Sequence, residues 1–461
     1  MIKKRSYLNL LLNLEPSELL TLLFLLFIAI GTLALKLPIA TYDGISFIDA
    51  LFTATSAACV TGLMVVDLSS TFTMFGQIVI LILIQVGGLG IMTFSVLFTL
   101  VIGKSLSMRQ SLLVFDSFDI SNRLSIFDLI SKIIKLTLLI ELIGGIALFI
   151  RWMPEYGIGQ GLYYAIFHAV SGFCNAGITL FSDNLLSFAD EGTVPVTIAL
   201  LSIIGSLGFI TIVELYLRLK LKLFSDKRLP SLSLQTKIIL SYSFVLVVGG
   251  GLLIVLMESG NLFANMSFLE KLSKAFFVTF SSRTAGFNTV EIGLFTNGTL
   301  AILIILMIIG ASPGSVGGGI KITTFGVLIG LAQARFFGYE KPSAFKRTIP
   351  DIVVTRSIAI LFISTQILVI YTILLLITET GGVQSAASKE MFLAVVFDVV
   401  SAFGTVGMSA GATEQLSELG KLLISSLMLI GRLGPLTITI AVAKKPTKGD
   451  YQYAEENIMV G

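Results

Sequence analysis

Cysteine, histidine and charge are what this sequence has least of. Two cysteines and a single histidine, His168, in 461 residues exclude a disulfide framework, a zinc cluster and any multi-histidine metal site. Charged residues are 13% of the chain against 55% hydrophobic, and mean hydropathy is +0.95, which excludes disorder and an ordinary soluble domain. No His/Cys/Asp constellation suited to catalysis is present, so no catalytic residues and no enzyme are expected, and a net charge of +3 gives no reason to expect a nucleic-acid partner.

What is present is apolar length. Long apolar runs fall near 19–37, 74–102, 133–150, 194–217, 238–257, 299–330, 358–377 and 422–443, each long enough to cross a bilayer core of about 30 Å. Between the members of each pair lies a shorter amphipathic stretch, near 46–58, 160–172, 268–281 and 389–402. About 13 residues at 1.5 Å each reach only ~20 Å, so these stretches are read as re-entrant. Non-helical backbone at that depth is tolerated where it is buried in protein or lines a watery cavity, so four such segments imply a shared polar centre.

Each short stretch runs into a glycine: CVTG at Gly62, CNAG at Gly177, RTAG at Gly286 and GTVG at Gly407. Ten residues before each stands a phenylalanine: Phe52, Phe167, Phe276 and Phe397. Phenylalanine is only 34 of 461 residues, so this recurrence favours true repeats. The expected fold is an all-α membrane protein of four parallel helix/pore-loop/helix repeats around a central pore. Their boundaries are 19–103, 125–223, 234–337 and 350–443. Residues 1–20, the connections near 103–135, 218–237 and 335–356, and the tail from 444 hold 22 of the 31 Lys and Arg. By the positive-inside rule these regions, with both termini, are cytoplasmic. The opposite face holds fifteen carboxylates, among them Asp43, Asp67, Asp183, Asp190, Glu191 and Glu291, and would concentrate cations.

A cation stripped of water needs oxygen ligands, and backbone carbonyls supply them without a permanent charge. Turning successive carbonyls toward one axis requires unusual dihedrals, which glycine adopts at little cost. The expected potassium ligands are therefore the carbonyls of Val60, Thr61 and Gly62, of Asn175, Ala176 and Gly177, of Thr284, Ala285 and Gly286, and of Thr405, Val406 and Gly407. Only glycine recurs across the four sets, which predicts fewer well-formed sites than a filter of identical strands.

The stretches TSAACVTGL, SGFCNAGI, SSRTAGFNT and SAFGTVGMS resemble the filter loops of the Ktr/Trk/HKT superfamily of potassium transporters, over nearly the whole chain, and most of all its KtrB-type membrane subunits. The resemblance implies a homodimer with one pore per subunit, potassium uptake that sodium often stimulates, and a KtrA-like cytosolic ring of nucleotide-binding subunits. Basic loops around Arg218–Arg228 and Arg335–Arg347 are the expected docking surface, with membrane lipid as the other partner of such charges.

In the sixth run, Gly310, Ala311, Ser312, Pro313, Gly314, Ser315, Val316, Gly317, Gly318 and Gly319 put five glycines and a proline into an apolar segment. Proline costs a helix about 3 kcal/mol and each glycine about 1, so two half-helices joined by irregular chain are expected. A phosphate-binding P-loop is excluded, because Ile320 separates Gly319 from Lys321 and Ile322 follows. The resemblance makes this loop a gate and gives Arg432, inside the last span, the role of holding it through its carbonyls and repelling cations. Arg283 is expected to brace the filter, Cys59 and Cys174 to pack as small buried residues, His168 to be a hydrogen-bonded packing residue, and Trp152 with Tyr156 to join an outer interfacial belt. The alternative function is a sodium- or proton-coupled secondary carrier, for which Glu141 and Glu214 are the only carboxylates within spans.

Overall fold

The computed structural model describes residues 16–90, 126–224, 231–380 and 385–434. Expectations resting on the basic N-terminus, on the connection near 103–125, on Lys227 and Arg228, on the far ends of the runs 74–102 and 422–443, and on the tail lie outside these residues.

Among the described residues four helices are long and apolar enough to cross a membrane: α1 (Pro16–Leu35), α4 (Ile126–Cys174), α7 (Leu234–Glu258) and α11 (Asp351–Thr380). Each leads toward a shorter helix. The first and third of these are α2 (Phe47–Ala58) and α8 (Phe268–Ser281). Their starts are encoded locally: Ser46 accepts from the Asp49 N–H, and Ser267 with Glu270 forms a reciprocal capping box. The second has no such cap and is the limb 158–174 of α4, set off by a break at Gly157, whose φ of 76° is left-handed. The fourth, α12 (Ser385–Gly404), has 20 residues and is longer than the stretch near 389–402 suggested.

The helices that follow are not continuous spans. α3 (Met74–Gly88), α5 (Thr193–Ser206), α9 (Asn297–Ile308) and α13 (Glu418–Leu433) have 12 to 16 residues and give way at Gly90, Gly208, the Gly310 loop and Gly434. Gly90, Gly208 and Gly434 take φ of 89°, 83° and 87°, a conformation no helix contains. Beyond two of the breaks the chain resumes as α6 (Phe209–Phe224) and α10 (Ile322–Phe336). The uninterrupted run expected at 194–217 is therefore corrected to two helices. One small hairpin pairs β1 (Ser343–Ala344) with β2 (Arg347–Thr348).

The reason for the glycines near the breaks is close approach. A Cβ on Gly87, Gly205 or Gly431 would lie 2.0 Å from the carbonyl oxygen of Ala58, Phe173 or Phe403 respectively. Each of these carbonyls sits four residues before a recurring loop glycine. The same backbone-to-backbone contact thus recurs three times and carries each loop on the helix that follows it.

Candidate ion-binding ring and gate

The four glycine loops meet one another in cyclic order. A Cβ on Gly62 would collide with the Ala176 carbonyl oxygen at 2.4 Å, and one on Gly177 with Gly286 Cα at 2.8 Å and the Ala285 oxygen at 3.0 Å. One on Gly286 would meet the Val406 oxygen at 2.3 Å, and one on Gly407 the Thr61 oxygen at 2.1 Å. First touches second, second third, third fourth, and fourth first. The sequence-predicted residues are therefore brought together in a single closed ring.

Within each loop the backbone is left-handed twice. The glycines take φ of 97°, 63°, 77° and 92°, and the residues two before them, Val60, Asn175, Thr284 and Thr405, take 55°, 59°, 74° and 49°. The second set carries side chains, and three of the four are β-branched, where positive φ costs on the order of 1–3 kcal/mol. Five-residue backbone bonds hold the turns: Thr61, Ala176 and Val406 N–H donate to Ser56, Ser171 and Ser401 O at 2.8 Å, and Gly286 N–H donates to Ser281 O at 3.2 Å.

Those four serines hold the loops through their side chains as well, and the sequence alone does not single them out. The Ser56 and Ser401 hydroxyls accept from the Gly62 and Gly407 N–H at 3.0 and 3.1 Å, while Ser171 and Ser281 donate to the carbonyls of Ile178 and Phe287 at 2.6 Å. All four are fully buried. A serine five or six residues before every loop glycine was the available signal.

Beneath the ring lies the Gly310–Gly319 loop. A Cβ on Gly317 would strike Thr284 Oγ1 at 2.3 Å and one on Gly318 would strike Thr405 at 2.6 Å, so the loop abuts the first residues of two triplets. Gly318 N–H donates to Thr405 Oγ1 at 2.9 Å. The loop is also laced to the break in the second helix pair: Ser312 N–H donates to Ser206 O at 3.2 Å and Phe209 N–H to Gly314 O at 3.1 Å. Arg432, 8% exposed, donates one Nη to Val316 O and the other to Gly87 O. Lys321 Nζ donates to Gly317 O at 2.5 Å, and Arg283 Nη2 reaches Gly310 O at 3.4 Å. Arg283 thus braces the root of this loop.

Above the ring a vestibule of about 510 Å³ opens, with Gly62, Gly177 and Gly407 at its floor. Asp67, Asp183, Glu291 and Glu414, one from each expected repeat, are among its lining residues, and no lysine or arginine is among the described residues that line it. Burial pushes the Asp67 carboxyl up, but bonds from the Ser182 and Ser69 hydroxyls and the Ser69 and Ser70 N–H groups outweigh it and hold the pKa below the usual value. Its charge therefore survives into acid. Asp43, Asp190 and Glu191 are not among the lining residues, and Asp190 pairs with Lys274 at 2.8 Å.

Other singled-out residues have structural partners. His168 Nδ1 is 2.7 Å from Tyr164 O, and its Nε2 accepts from the Leu180 N–H at 3.3 Å. Both cysteines are buried and free. Glu214 accepts from Ser233 N–H and Oγ at 2.7 and 2.8 Å and so caps α7. The interfacial expectation for Trp152 is corrected: the indole is fully buried, ringed by His168, Phe181 and Phe188 at centroid distances of 4.9 to 5.8 Å. Its area is better used in an aromatic cluster behind the second loop than at a lipid boundary.

A chain of apolar helices that closes four glycine loops into one ring under an acidic vestibule is a membrane protein built to handle cations. It belongs to the TrkH family of cation transport proteins, whose pattern matches residues 20–452. It is 40% identical to the Ktr system potassium uptake protein B of Vibrio alginolyticus over 93% of this chain and 91% of that protein. It is 36% identical to the protein of that name from Bacillus subtilis, over 97% of both. It is 35% identical to the potassium/sodium uptake protein NtpJ of Enterococcus hirae, over 97% of this chain and 98% of that protein. Among solved structures, the potassium transporter TrkH of Vibrio parahaemolyticus shares the fold, with a TM-score of 0.71 at 18% identity, covering 93% of this chain and 85% of that one.

Proposed function

We propose that this chain is the potassium-translocating pore subunit of an uptake system, a multi-pass protein of the cell membrane with both termini cytoplasmic. Its four parallel helix/pore-loop/helix repeats span 19–103, 125–223, 234–337 and 350–443. The observation that carries this reading is the closed order of the glycine contacts, because one ring of backbone carbonyls is what an ion leaving water requires.

In this reading a cation gathers in the acidic vestibule, sheds water against the carbonyls of the four triplets, and meets the Gly310–Gly319 loop below. Positive φ at the first and third residue of each triplet lets carbonyls turn toward the ring axis, which explains the strain tolerated at Val60, Thr284 and Thr405. Arg432 fastens the loop and places a buried positive charge in the cation path. Sodium is a second ion of interest, as the name of the Enterococcus relative includes it. The protein works as a homodimer and is regulated by a cytosolic nucleotide-binding ring that docks on the basic loops. The exposed Phe336, Phe337 and Tyr339, beside Arg335 and Lys341, suit that docking.

Gly286→Ser tests the filter. The Cβ must displace the Val406 carbonyl, so potassium uptake should lose its preference over sodium by about tenfold, the equivalent of 1.4 kcal/mol. Growth rescue at limiting potassium with sodium competition reads it. Unchanged selectivity at Gly62, Gly177, Gly286 and Gly407 alike would refute the assignment.

A further inference from the structure

A groove of about 510 Å³ runs between α3 and the two limbs of α4 and shares no lining residue with the vestibule. Its walls are almost wholly apolar, including Leu81, Leu142, Ile146 and Leu162. Among the described residues its polar side chains are Gln85 and Glu141. Glu141 is 6% exposed, and its Oε2 accepts from Gln85 Nε2 at 3.3 Å. Its Oε1 is buried with no hydrogen-bond partner.

A carboxylate oxygen left unpartnered in an apolar site costs on the order of 1–3 kcal/mol, more if ionised, and among the described residues nothing pairs with Glu141 Oε1 to offset that. The pore reading does not use this residue. A ligand that supplied a positively charged N–H donor and a hydrocarbon body would satisfy both the lone oxygen and the walls. Volumes of this size hold a drug-sized molecule. We infer that this groove is a binding site for a lipophilic amine, with its ammonium on Glu141 and its hydrocarbon between α3 and α4.

The site lies close to the gate anchor. Gln85 is two residues before Gly87, whose carbonyl receives Arg432, and Cys174 Sγ, behind the second loop, is 3.9 Å from Gln85 Oε1. The inference itself concerns binding and stands independently of the pore assignment.

The test uses the full chain in lipid nanodiscs and a dodecylamine carrying a photoreactive diazirine on its tail, with labelled peptides mapped by mass spectrometry. Labelling should fall on α3 and α4 near the groove, be displaced by unlabelled dodecylamine and resist dodecanol. Glu141→Gln keeps a partner for Gln85 while removing the charge, and should cut labelling about tenfold. Gly145→Leu fills the groove without touching the carboxylate, since a Cβ there meets nothing closer than Ala169 at 3.6 Å, and should abolish labelling. Equal displacement by dodecanol would mean that the groove takes acyl chains with no head-group recognition, and would overturn the inference. So would labelling that survives both substitutions.

Discussion

At the scale of single residues, the serines behind the ring set the loop geometry. Ser56 and Ser401 each accept the N–H of a ring glycine, the first bond fully buried and the second at the floor of the vestibule. Ser401→Ala should therefore remove the side-chain partner of the Gly407 N–H at a cost of about 0.5–1.5 kcal/mol and let the loop relax. The expected outcome is potassium affinity weakened about tenfold with the protein still folded, read as a rise in the half-saturating concentration for uptake. Ser401→Thr, which keeps the hydroxyl, should retain more affinity. Affinity equal to wild type in the alanine variant would show that the loop is held by its backbone alone. The ring glycines were legible in the sequence because they recur after a phenylalanine at a fixed offset. The serines recur almost as regularly, but serine is ambiguous without a partner in view, and only the fold supplies the buried N–H. Trp152 was misread for a related reason, since whether an indole faces lipid or protein depends on His168 and Phe181, which arrive from other segments.

At the scale of elements, the loop and the broken helices belong together. The sequence announced Gly310–Gly319 by density of glycine and proline, and irregular chain is found there. It did not announce the break at Gly208, because one glycine in an apolar run is as easily a packing residue. Gly205 only packs, whereas Gly208 breaks the helix, and the distinction rests on the φ of 83° that Gly208 adopts and Gly205 does not. The length of α12 was likewise unreadable, as its first turns repeat no feature of the other short helices. If the loop obstructs the path below the ring, shortening it should raise initial potassium uptake severalfold in liposomes that contain this protein alone, while selectivity persists. Arg432→Ala should act in the same direction but less, since it frees Val316 and removes a charge yet leaves the loop in place. A shortened protein that folds and assembles but shows no rise would make the loop a packing kink.

At the scale of the molecule, closure is achieved by contacts that only the whole chain can make. Lys421 on α13 pairs with Asp49 on α2 at 2.7 Å across 372 residues, and the Gly407 loop returns to Thr61. The ring is thus one object, and its central claim is that a dehydrated cation sits inside it. Anomalous diffraction from crystals soaked in thallium, a potassium surrogate, locates such an ion directly. The account predicts density on the axis enclosed by the triplets ending at Gly62, Gly177, Gly286 and Gly407, reduced when sodium replaces potassium as the competing ion less than when potassium itself competes. Thallium confined to the vestibule carboxylates, with none inside the ring, would contradict it.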